Sequence, residues 1–180
     1  MRNPTHAVAG ACAALGLAYL AQVEAGLPEL AAGALAGLLP NIDCLLPAME
    51  QSPSPFLRRL AGKTVEGGIT HSAFVLPVAA LLGLGAWGVF GRPGMLAAVV
   101  GGVLSHLLLD LFGQTGVQLF APFSRAWIAF PPWERLRPHR GGPTEIALFT
   151  LGLGTLAALA VVELLPYAVG LVGAVLGGAP

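Results

Sequence analysis

His106 and Asp110 stand four residues apart in Ser105-His106-Leu107-Leu108-Leu109-Asp110. On a helix this spacing puts an imidazole and a carboxylate on one face, about 6 Å apart along the axis. Both can then reach one divalent ion or two neighbouring ions, and the leucines around them offer no other polar partner. His6, Asp43, His71 and Glu145 have a related character, because each sits at the edge of an apolar run. Each also has a plainer reading on its own. His6 can cap a helix, Asp43 can serve the turn Asn41-Ile42-Asp43, and Glu145, following Pro143-Thr144, can complement a helix dipole.

The elements that must position these residues follow from composition. Of 180 residues, 56% are hydrophobic and 10% charged, against roughly 25% charged in ordinary soluble domains. The mean hydropathy of +0.78 comes from long runs of Ala, Leu, Val and Gly, which predicts an all-α, polytopic membrane protein forming a single domain over 1–180. Apolar spans are expected near 7–23, 29–46, 73–91, 95–113 and 146–163, with a shorter tail at 165–178, giving five to six transmembrane or half-spanning helices. The second is interrupted by Pro40-Asn41-Ile42-Asp43 after about half a crossing, and such a break must face protein or a water-filled cavity. The first run also competes with a signal peptide, but it is long for one and no clean Ala-x-Ala site follows.

Loops 47–69 and 114–144 are expected at the membrane interface. The second mixes Trp127 and Trp133 with Arg125, Arg135, Arg137 and Arg140, a composition suited to the headgroup layer. Threading the spans up and down places eight of the nine basic residues on one side, leaving Arg92 opposite with Glu24, Glu29 and Glu163. The positive-inside rule makes the first side cytoplasmic and puts the amino terminus there. The same threading brings His6, Asp43, His71, His106, Asp110 and Glu145 to that side. Near the centre of a bilayer such residues cost about 2.5–3.5 kcal/mol each on insertion scales, so they need partners, and a shared metal would supply one.

A weak internal repeat points the same way. Thr5-His6 precedes a hairpin ending at Asp43 and Thr70-His71 precedes another ending at Asp110, with His-to-Asp separations of 37 and 39 residues. Two parallel helical hairpins would bring these ends together. Zero formal net charge gives no field that favours nucleic acid, and Cys12 and Cys44 form no CxxC. No Gly-x-Ser-x-Gly elbow or phosphate-binding Gly loop occurs.

Pro4-Thr5-His6, Leu38-Leu39-Pro40-Asn41-Ile42-Asp43, Gly68-Ile69-Thr70-His71-Ser72 and Ser105-His106-Leu107-Leu108-Leu109-Asp110 together resemble the YdjM-like family of membrane-bound metal-dependent hydrolases. That family is distantly similar to the zinc-dependent phospholipase C and nuclease superfamily. The resemblance implies His106 and Asp110 as ligands, with Asp43, His71 and His6 completing the site and Glu145 as a further ligand. Where the family often carries Pro-Asp-x-Asp and His-Arg-Gly-x-Thr-His-Ser, this chain has Asn41 and Glu66-Gly67-Gly68, and Glu66 is a carboxylate that can take the place of the missing imidazole.

More than one divalent ion is expected, with zinc favoured by mixed nitrogen and oxygen ligands and manganese left open. Such ions lower the pKa of bound water toward neutrality and polarise a phosphoryl or acyl oxygen. Asp43, Asp110 or Glu66 would bridge metals or take the proton. A site at the headgroup layer suits a phospholipid or another amphipathic phosphoester, with Arg135, Arg137 and Arg140 on the phosphate. A metal-ion or proton transporter is the first alternative, and a non-catalytic metal-binding membrane protein the second. Oligomeric state is not legible in the sequence.

Overall fold

In the computed structural model the described residues are 3–45, 51, 53–55 and 69–176. They form five α-helices and no strand: α1 (Asn3–Leu20), α2 (Leu27–Ala36), α3 (Val75–Phe90), α4 (Gly94–Leu111) and α5 (Pro143–Leu176), with short 3-10 turns at Leu39–Leu45, Ile69–His71 and Glu134–Leu136. Helices α1, α2 and α4 pack together, α3 lies on α4, and α5 lies on α1. The first four helices therefore form two successive hairpins, as the repeat predicted. The last helix differs from expectation, since it runs without a break through Pro166 where a short separate tail was expected.

Small residues let the central helices come close. A Cβ added at Gly33 would lie 2.6 Å from the Cβ of Ala14, and one added at Gly102 would lie 2.7 Å from that of Ala36. Neither position can carry a side chain at this separation. Close backbone approach through Gly and Ala is how helices associate where no water is present to drive them together.

Local signals explain the helix ends. Pro28 occupies the first turn of α2, where its missing N–H costs nothing, and Glu29 Oε2 accepts the Gly26 N–H at 2.8 Å. After Ala36 the chain tightens into the 3-10 turn that contains Pro40 and Asn41, so the second span is the half-length element the sequence indicated. Gly91 ends α3 with φ +66°. Between α4 and α5 the chain folds back on the bundle: Val117 and Ile128 exchange both backbone hydrogen bonds, and the Ala73 N–H donates to Leu119 O at 2.9 Å.

Small apolar residues fill the interior together with several ionisable ones, and many large apolar side chains are left outside. His6, His106, Glu29 and Glu145 are all at most 2% exposed, whereas Leu81 is 69%, Val89 78% and Leu151 71% exposed. Among the described residues one helix, α4, is both long enough and apolar enough to cross a bilayer, with a mean hydropathy of 1.8. Helices α2, α3 and 143–159 of α5 are shorter apolar segments.

Candidate metal centre

The amino-terminal end of α1, the turn after α2, the turn before α3 and the carboxy-terminal end of α4 meet at one end of the bundle. His6 comes from the first, His71 from the third, and His106 with Asp110 from the last. The i,i+4 pair behaves as its spacing requires, with His106 Nε2 3.1 Å from Asp110 Oδ2. His6 Nε2 lies 3.3 Å from Asp110 Oδ1, and His71 Nε2 lies 3.5 Å from Asp110 Oδ2 and 3.1 Å from His106 Nε2. The His6 and His106 rings stack with centroids 3.9 Å apart.

One hydrogen bond determines what this cluster can do. His106 Nδ1 lies 2.6 Å from the carbonyl of Gly37, one of the oxygens left free at the end of α2. A carbonyl only accepts, so Nδ1 must carry the proton and donate it. In the neutral ring Nε2 then presents a lone pair toward the carboxylate of Asp110 and the Nε2 of His71. Electron-rich atoms at 3.1 Å repel unless a proton or a metal ion lies between them. An Nδ1–H held by a backbone carbonyl is also the usual support of a metal-binding imidazole.

The residues fit a divalent ion on two counts. The ligand atoms of His6, His106 and Asp110 all lie within 4.8 Å of one another. Donors about 2.0–2.1 Å from one tetrahedral ion are separated by about 3.3–3.4 Å, close to the 3.1–3.5 Å seen among the Nε2 and carboxylate atoms here. His71 Nδ1 is engaged by Thr70 Oγ1 at 3.1 Å, whereas His6 Nδ1 is buried with no hydrogen-bond partner.

A model of the YdjM inner membrane protein family matches residues 1–175. The chain belongs to this family. Membership places it among inner membrane proteins, in agreement with its composition and its exposed apolar residues. No curated protein and no solved structure matches the chain.

The other expected site residues are distributed differently. Glu145 is buried beside the cluster, but Thr5 Oγ1 donates to its Oε1 at 3.0 Å and the Gly141 N–H donates to its Oε2. A cavity of about 200 Å³, lined by Pro4, Thr5, Gly141, Glu145, Ile146 and Phe149, opens beside this carboxylate rather than over the imidazoles. The Arg137 guanidinium donates to the carbonyls of Pro131, Gln114 and Pro132, so it braces its own loop. Arg135 and Arg140 are exposed. The Asp43 side chain and all of Glu66 lie outside the described residues.

Asn41 was not among the expected site residues, yet its Oδ1 lies 3.3 Å from His71 Nε2 and its Nδ2 donates to Asn3 Oδ1 at 2.9 Å. Its position in the Pro40-to-Asp43 break, where similar sequences often carry an aspartate, was the available signal. At the opposite end of the bundle Arg92 Nε and Nη2 donate to Glu29 Oε1 and Oε2 at 2.5 and 2.9 Å. That hydrogen-bonded pairing, aided by the Glu29 charge, raises the Arg92 pKa above its ordinary value.

Proposed function

We propose that this protein is a polytopic membrane enzyme, a metal-dependent hydrolase whose centre faces the cytoplasm and cleaves a phosphoester of a lipid or another amphipathic substrate. The observation that carries this reading is the convergence of three imidazole Nε2 atoms on the Asp110 carboxylate, with His106 fixed as a lone-pair donor by Gly37. His6, His71, His106 and Asp110 are the holding set, with Asp43, Glu66 and Glu145 as further candidate carboxylates. The two Asp110 oxygens divide between His6 on one side and His71 with His106 on the other, an arrangement suited to bridging more than one ion. Zinc suits these donors best, and manganese is the alternative. A bound divalent ion would supply the Lewis acidity that activates water and polarises a phosphoryl oxygen.

The chain's own residues do the rest. Gly37 and Thr70 orient the imidazoles from behind. Arg135 and Arg140 are exposed on a loop that also exposes Phe123, Trp127 and Trp133, which suits contact with headgroups. The exposed leucines and valines of α3 and α5 favour lipid as the surrounding solvent, and the balance of basic residues favours an amino terminus in the cytoplasm. A conduit for ions is less favoured, because the buried faces between the two ends of α1 and α4 are Gly, Ala, Met and Val.

The test is a screen of phosphodiester and phospholipid substrates with purified protein before and after chelation. Release of product that stops on chelation and returns with zinc or manganese is the expected result. Metal-dependent ion flux in proteoliposomes without hydrolysis would overturn it.

A further inference from the structure

The cavity of about 200 Å³ beside Glu145 lies between the amino-terminal ends of α1 and α5. Its polar wall is already committed. The Thr5 hydroxyl and the Gly141 N–H both donate to the Glu145 carboxylate, so a guest meets mainly the carbon surface of Pro4, Ile146 and Phe149. Apolar cavities stay dry and take apolar guests. The cavity also opens toward a medium that supplies one. Ile146, Phe149 and Leu153 follow one another at i, i+3 and i+7 on one face of α5, with Ile146 55% and Leu153 49% exposed. The apolar wall therefore continues into the outer face of the helix. Further along the same two helices a Cβ added to Gly152 would lie 2.6 Å from Val8 Cγ1, so the cleft has closed there.

At its other side the cleft borders the helix end that carries the His/Asp cluster. Thr5 and His6 are consecutive, yet Thr5 reaches Glu145 on α5 while His6 reaches Asp110 on α4. We infer that this cleft holds one hydrocarbon chain of the substrate, with the headgroup lying across the end of α1 at the imidazoles, about 10 Å or one helix diameter away. This rests on the metal-dependent reading above and adds that the chain is itself recognised, rather than serving only to keep the substrate in the membrane. The cavity has room for about six groups of roughly 30 Å³ each, which suits a stretch of a single chain.

The probe is a long-chain alkyl phosphate with a photoreactive diazirine on its chain, added to the protein in phosphatidylcholine nanodiscs, with adducts located by mass spectrometry. On zinc-loaded wild type, adducts should form on both walls of the cleft, at Pro4 and at Phe149, and weaken on chelation as the phosphate loses its anchor. Ile146→Trp should cut them at least about fivefold, since a chain beside the indole overpacks the cleft. Ile146→Ala leaves the cleft open and should keep them, which separates filling from loss of fold. Leu151→Trp puts the same bulk at an exposed position outside the cleft and should also keep them. Adducts absent from these walls, or undiminished in Ile146→Trp, would overturn the chain site. In a protein shown to bind zinc, adducts indifferent to chelation would overturn its assignment to the substrate. A protein that binds no zinc or manganese yet takes the chain into the cleft would defeat the metal-dependent reading and leave the chain site standing, which is a different failure.

Discussion

Helices α1, α2 and α4 carry a polar cluster at each end, and the two clusters are built on opposite principles. At one end the Glu29 carboxylate is fully buried, and both oxygens are matched by the Arg92 fork, one of them also by the Gly26 N–H. Donors and acceptors are complementary there, so the pair needs nothing more. At the other end, a lone pair faces a carboxylate. His106 Nε2 opposes Asp110 Oδ2 at 3.1 Å while the ring's proton is committed to Gly37. The first cluster fastens the two hairpins together, and the second is the one proposed to hold a cation. Polar residues buried in one bundle can thus be told apart by whether their hydrogen-bond needs cancel.

This contrast can be broken most severely by removing a lone pair from the second cluster. His106→Ala should weaken zinc retention by at least roughly 100-fold, beyond the effect of losing outer support alone, as read by competition with a chelator. Gly102→Leu should act on both ends at once, since the new side chain must push α4 away from α2. Overpacking of this kind costs about 1–3 kcal/mol, and detergent melting should show it together with weakened zinc binding.

Arg92→Ala sharpens the comparison from the other side. It leaves the buried Glu29 without its partner, so the melting temperature should fall by several degrees while zinc retention stays at the wild-type level. Loss of zinc in that variant would show that the two ends are not separate in role. The smallest effect belongs to Thr5→Ala, which removes one hydrogen bond to Glu145 and should cost about 1 kcal/mol by melting, with metal content unchanged.

Much of the His/Asp cluster was legible because helical periodicity and topology are both written along the chain. The four-residue spacing of His106 and Asp110 fixed their shared face, and the two Thr-His segments marked where the hairpins begin. The half-length second helix was visible in Pro40-Asn41-Ile42-Asp43. Pairings between distant segments were not legible. Nothing near Glu29 names Arg92, 63 residues away, and nothing near Glu145 names Thr5. Arg137 resembled a phosphate ligand in sequence because its carbonyl partners are backbone atoms, which carry no residue signature. Asn41 was read only as a departure from the Pro-Asp-x-Asp segment, since an asparagine beside a proline in a turn normally needs no tertiary explanation. The uninterrupted α5 shows the limit of local propensity: Pro166 removes one backbone donor, yet the helix continues through it.

The central claim is that these imidazoles and the Asp110 carboxylate surround a metal. X-ray absorption on the zinc-loaded protein tests it most directly, because it reads the ligand atoms around the ion. The expected spectrum shows nitrogen and oxygen neighbours at about 2.0–2.1 Å with the outer scattering of imidazole rings, lost in the His106→Ala/Asp110→Ala double variant. Absence of stoichiometric metal, or sulfur neighbours at about 2.3 Å from Cys12 or Cys44, would contradict it.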